Sequence, residues 1–138
     1  DVAAVAPVTM EAETDDLLHA VAESRTGEIG PLLQRLEGQG VNPVTLCIAA
    51  TRHFRALHAA ASDPGGPASG ISRARHPVPF RSRERMQPQV QSWGIRRLEE
   101  AIRLLVDTDL TLRSSQRAPV MAVMERAFLR LSEMNRRR

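Results

Sequence analysis

Between Ile95 and Leu112 the apolar residues Ile95, Leu98, Ile102, Leu105 and Leu112 recur at steps of three, four, three and seven. That spacing lines one face of a helix and cannot line one face of a strand. One position of the repeat is not apolar: it is Asp109. A carboxylate on a buried seam is costly unless paired, and Arg113 follows one turn later, the order in which an acid and a base pair best. The segment therefore predicts a helix over about Ile95 to Ser114 that packs on other helices, with Asp109 and Arg113 paired at a half-buried seam.

The same period runs through the rest of the chain. Asp1 to Ala6 can form a helical stub before Pro7. A first helix is predicted over about Glu13 to Ser24, with Leu17, Leu18 and Val21 inward, ending at Arg25-Thr26-Gly27. A second follows over about Glu28 to Gly38, with Ile29, Leu32, Leu33 and Leu36 on one face. Asn42 then caps a third, with Pro43 at the first helical position, where the missing N–H costs nothing. It should reach about Ala61, about 28 Å at 1.5 Å per residue. Residues 62–80 are rich in Gly, Pro and Ser and read as a flexible loop. Ser82 is expected to cap a fourth helix that Pro88 kinks and that ends at Trp93, with Gly94 as a left-handed turn. A sixth begins near Ala118-Pro119 and aligns Val120, Met121, Met124, Phe128 and Leu131 before a basic tail at 136–138. No segment alternates with period two. The fold class expected is all-α, a single bundle of five to six helices.

With 138 residues the chain has one domain's length, and no run of about 18 apolar residues is present to span a bilayer. No membrane partner is expected. All 19 basic residues are arginine. The absence of lysine excludes a phosphate loop of the G-x-x-x-x-G-K-[ST] type, a Schiff-base lysine and a lysine general base. Gly70-Ile71-Ser72-Arg73-Ala74 lacks the last glycine of a nucleophile elbow. His19, His53, His58 and His76 never stand three or four residues from a second His or Cys, so none pairs as metal ligands on one helical face; ordinary histidines are expected. Glu99 and Glu100, like Asp107 and Asp109, point in different directions from a helix and cannot share a proton. The reading is a chain with no catalytic residues, no metal and no cofactor. Cys47 shares a face with Ala50, Thr51, Phe54 and Leu57 and is expected to be a buried thiol. A single cysteine suits a reducing compartment, and a cytoplasmic setting is expected. Asp1 opens the chain without an initiator methionine or a signal segment, which suggests an excised fragment.

Charge is distributed unevenly. Residues 1–62 carry eight acids against four arginines, whereas 63–85 carry two against five and 86–138 six against ten. Arg73, Arg75, Arg81 and Arg83 could contact phosphate, although only Phe80 is available there for stacking on bases. A solvated loop is the plainer account of these arginines. Trp93, the one tryptophan, reads as a core anchor.

Several of these segments, taken in order, resemble the C-terminal domain of the delta subunit of the bacterial DNA polymerase III clamp loader. They are the link Gln39-Gly40-Val41-Asn42-Pro43 into Val44-Thr45-Leu46, and the arginine-bearing helix with Arg52 and Arg55. Phe80-Arg81-Ser82-Arg83, the pair Trp93-Gly94, the run Asp109-Leu110-Thr111-Leu112-Arg113, and Val120, Met124, Glu125 and Leu129 complete the set. The resemblance covers about residues 15–131. It implies a clamp-loader collar domain at 13–135, with 1–12 as a linker or the end of a preceding lid domain. Trp93, Gly94, Asp109 and Arg113 would be its structural motif. It implies a non-catalytic assembly role within the polymerase III holoenzyme in DNA replication. The domain would hold delta in the pentameric ring by binding the C-terminal helical domains of the motor and delta-prime subunits. The sliding clamp would be reached only through domains outside this chain, and DNA could be met in the intact complex. Leu104, Val106, Met121 and Phe128 widen the apolar faces of the last two helices and are the expected subunit interface. The alternative reading is an arginine-rich helical module that binds DNA, with a steep loss of affinity in salt.

Overall fold

Each helix stops where local chemistry stops it. In the computed structural model, which describes residues 2–66, 70–71, 80–114 and 119–136, with side chains at 11–66, 70–71, 83–114 and 119–135, α1 (Val2–Ala22) ends in a left-handed turn at Ser24, φ 60°. The Ser24 amide donates to the Val21 carbonyl (3.3 Å) and the Arg25 amide to that of Ala20 (2.8 Å), closing the last turn. A serine in this region carries a steric cost that glycine would not. α2 (Thr26–Gly38) ends the same way at Gly40, φ 85°, with the amide of half-buried Val41 donating to Leu36 at 3.0 Å. Asn42 caps α3 (Pro43–Ser62): its side-chain oxygen accepts from the Val44 amide at 2.9 Å. α4 (Phe80–Trp93) and α5 (Ile95–Ser114) are separated by Gly94 alone, φ 78°. α6 (Val120–Arg136) follows. No strand occurs among the described residues, and the architecture is all-α.

Three boundaries differ from the sequence reading. The expected stub and first helix are one continuous α1 that runs through Pro7. α4 starts at Phe80, so Ser82 lies inside its first turn instead of capping it; Pro88 stands within the helix. The stretch expected to be a loop is packed at Gly70 and Ile71, which are helical, with Ile71 1% exposed. Ile71 is apolar enough to bury, and Gly70 allows it to: a Cβ there would stand 2.4 Å from the Ala60 Cα. Residues 72–79 lie outside the described residues.

α1 and α2 form an antiparallel hairpin, with Gln39 at the end of α2 donating to Glu13 (3.2 Å) early in the inward-facing part of α1. α3 and α5 make the most extensive packing in the chain and also run antiparallel: Cys47 Sγ donates to the Leu105 carbonyl (3.4 Å), and His58 meets Glu99 (3.3 Å). α6 packs against α1, α2, α3 and α5. The shared core includes Leu17, Ile29, Leu36, Leu46, Phe54, Leu57, Trp93, Leu98, Leu105, Met124, Phe128 and Leu131. At its centre the Trp93 and Phe54 rings meet edge to face, centroids 5.0 Å apart, a geometry worth about 0.5–1.5 kcal/mol beyond area burial.

The buried face of α5 is displaced from the expected seam. It is Leu98, Ala101, Leu105, Thr108 and Leu112, in strict steps of three and four. Ile102 is half-buried and Ile95 is 43% exposed. Both sets fit the helical period. The one chosen puts the small Ala101 and the hydroxyl of Thr108 inward, where the hydroxyl is satisfied by the Leu104 carbonyl at 2.8 Å. Large side chains at those positions would hold the neighbouring helices apart, and an ionised Asp109 inward would have to shed its hydration.

Candidate functional site

The four motif residues separate into two pairs. Trp93 is 3% exposed, and its indole N–H donates to the Ala22 carbonyl at 2.9 Å. That carbonyl belongs to the last turn of α1, and Asn135 of α6 also donates to it (3.3 Å). Two side chains from distant segments therefore satisfy a helix-end acceptor that would otherwise be orphaned. Gly94 supplies the left-handed residue that turns the chain immediately after the indole. Asp109 and Arg113 do pair, with Arg113 Nε 3.0 Å from each carboxylate oxygen and side chains 31% and 57% exposed. Asp109 is half-buried, as expected, whereas Arg113 is exposed, and the pair stands beside the buried face of α5 instead of on it.

The expected interface residues also divide. Val106 is 41% exposed, and Leu104 and Met121 are half-buried against the core. Phe128 is not a surface residue at all: it is fully buried, because α6 turns Met124, Phe128 and Leu131 together toward the other helices. A more exposed apolar strip lies on the same helix as Val106. Ile102, Val106 and Leu110 follow one another at four-residue steps on one flank of α5, and Leu110 is 60% exposed. Of the expected phosphate contacts, Arg83 is half-buried on α4; Arg73, Arg75 and the side chain of Arg81 lie outside the described residues.

A polar cluster unites residues that sequence spacing kept apart. His19 of α1 and His53 of α3 meet edge to face with ring centroids 5.2 Å apart. Between them stands the amide of Gln89 from α4: Nε2 is 2.8 Å from His19 Nδ1, and Oε1 is 2.9 Å from His53 Nε2. Gln89 Nε2 also donates to Glu23 (2.8 Å), whose carboxylate takes further bonds from Arg85 (3.0 Å) and Arg25 (3.2 Å). Gln89 is 2% and His19 3% exposed. Burial, then the neighbouring His53 and the arginines Arg85 and Arg25, push His19 down to about 4 against the pull of Glu23. Burial likewise lowers His53. For Glu23 burial acts upward, yet the bonds from Arg85 and Gln89 and the two arginine charges bring it below the usual carboxylate range.

Beside the cluster opens a cleft of about 570 Å³ lined by Ala22, Glu23, Ser24, Arg85, Pro88, Gln89, Ser92 and Asn135. Its hydroxyls are engaged: Ser24 donates to the Ser132 carbonyl (2.9 Å), and Ser92 exchanges bonds with Asn135 (3.2 and 3.0 Å). The cluster and cleft join α1, α3, α4 and α6 through polar groups. Among the described residues no three His, Cys, Asp or Glu side chains are grouped to hold a metal ion. Cys47 is buried, and desolvation together with the Asp109 charge pushes its thiol up to about 11, so it stays protonated at neutral pH. No helix among the described residues is long and apolar enough to cross a membrane.

His19 near the end of α1 and Glu23 just past it stand four apart, a signal visible in the sequence, but nothing in local spacing ties them to His53 or Gln89. Compared with protein-family models, curated proteins and solved structures, the chain matches none.

Proposed function

We propose that this chain is a non-catalytic assembly domain, of the type that holds the delta subunit of a bacterial DNA polymerase III clamp loader in its ring. The observation that carries the proposal is the apolar strip of half-buried Ile102 and exposed Val106 and Leu110 on α5, the helix bearing the delta-like run Asp109 to Arg113. A protein surface that presents apolar side chains in register along one helix offers a flat face to another helix. The packing of α5 along α3 would keep that face rigid, so that binding costs little ordering. The partners are the C-terminal helical domains of the motor and delta-prime subunits, in the cytoplasm.

The test is to mix the chain with those domains and measure complex formation by analytical ultracentrifugation, beside the double variant Val106→Asp and Leu110→Asp. Assembly of the wild type and its loss in a variant with unchanged helicity would support the reading. Failure of the wild type to join any of these domains would remove it. Binding to primed DNA, falling steeply with salt and without subunit assembly, would select the arginine-rich DNA-binding module instead.

A further inference from the structure

The side-chain amide of Gln89 has only one workable orientation. A carboxylate can only accept, so the amide nitrogen must face Glu23; reversing the amide would set its oxygen against a carboxylate oxygen. With Nε2 directed at Glu23 and His19, the His19 Nδ1 has to be an unprotonated acceptor. The oxygen then faces His53, whose Nε2–H must donate to it. The two histidines share one amide yet differ in what a proton does to them. A proton on His19 Nδ1 sets N–H against N–H, whereas His53 keeps its Nε2–H donor in either state.

We propose that Gln89 is a proton-released latch: protonation of His19 at Nδ1 breaks the Gln89–His19 bond, and α4 then swings away from α1, giving up the Trp93–Ala22 bond as well, while the α1–α2 hairpin and the α3–α5 pair stay packed. Among its described side chains α4 buries only Met86, Val90 and Trp93 as apolar contacts, so its docking leans also on the polar ties of Gln89, Arg85, Ser92 and the Trp93 indole. Among the described residues, the charged groups that act on His19 are Glu23 and Arg25 from the turn after α1, His53 from α3 and Arg85 from α4. α6 meets this end of α1 through Asn135, bonded to the Ala22 carbonyl, and Ser132, bonded by Ser24, neither of which titrates. The low proton affinity of His19, brought down to about 4 mainly by burial, holds the latch closed at neutral pH. The proposal does not rest on the assembly reading.

The test is a titration of the whole chain from about pH 7 to about pH 2, following imidazole nitrogen resonances, Trp93 emission and far-ultraviolet dichroism. At neutral pH His19 should be the Nε2–H tautomer. On acidification Trp93 emission should shift to the red before helicity is lost. His19→Asn, whose Oδ1 accepts without titrating, should lower the midpoint of that shift by about one pH unit or more. His53→Gln, which keeps the donor, should lower it by less than half as much. A protonated His19 Nδ1 at neutral pH would overturn the latch, as would equal displacement by the two variants. Simultaneous loss of Trp93 shielding and helicity in the wild type would do the same. If His19→Asn does not fold, the tautomer of the wild type decides.

Discussion

The indole N–H of Trp93 donates to the carbonyl of Ala22 at 2.9 Å, so the end of α4 is tied to the end of α1 across 71 residues of sequence. Ala22 occupies the last helical position of α1, where a carbonyl lacks an intrahelical partner. The bond and the edge contact with Phe54 together explain why the tryptophan stands immediately before the Gly94 turn.

Trp93→Phe keeps an aromatic against Phe54 but removes the donor and leaves space. Asn135 still serves the Ala22 carbonyl, so the loss should be moderate, roughly 1–3 kcal/mol in urea unfolding. A change under about 0.5 kcal/mol would mean that the tie contributes nothing. In the wild type the native emission of Trp93 should be that of a shielded indole.

Phe128 and Val106 should respond in opposite ways. Phe128→Ala removes a fully buried ring and should cost about 3–5 kcal/mol. Val106→Ser, at a position 41% exposed, should stay within about 0.5 kcal/mol. Similar losses for both in chemical denaturation would contradict the orientation of α5 and α6.

Asp109→Leu and Arg113→Leu should both be mild, each within about 1 kcal/mol, because the ion pair is exposed. Arg113 sits in the last turn of α5, where a cation also favours the helix end, so its loss should be the larger by a few tenths. A loss above about 2 kcal/mol for Arg113→Leu alone would show that the carboxylate is left buried without its partner.

Stability should fall on acidification between about pH 6.5 and about pH 4. His19 in the unfolded chain takes up a proton near 6.5, whereas the folded form resists it down to about 4. Within that window the unfolded state binds more protons, so acid favours unfolding, and the slope flattens below the folded value. The shift corresponds to about 3 kcal/mol at full effect. The lowered Glu23 acts in the same direction at the acid end, since its stabilising charge is lost as it protonates. Denaturation midpoints that do not change across this window would show that His19 is not held neutral by the fold.

Much of the helical layout was legible from local chemistry. Asn42 before Pro43, Gly40 after Leu36, and Gly94 after Trp93 mark helix ends because capping and left-handed turns depend on a few adjacent residues. The burial of Cys47, Leu17 and Leu36 followed from the same period. Which flank of α5 turns inward did not. Ile95, Ile102 and Asp109 on one side, and Ala101 and Thr108 on the other, satisfy the period equally well. Only the approach of α3, with Cys47 against the Leu105 backbone, selects the side with the smaller side chains. That selection left Asp109 half-buried beside the inward face and Arg113 exposed, and the facing of α6 took Phe128 into the core. The polar cluster was hidden for a related reason. His19, His53 and Gln89 lie on three helices, and single-helix spacing carries no information about contacts made 34, 36 or 70 residues apart. Local propensity acts over a turn of helix, whereas the relative placement of helices is decided by how their side chains pack together.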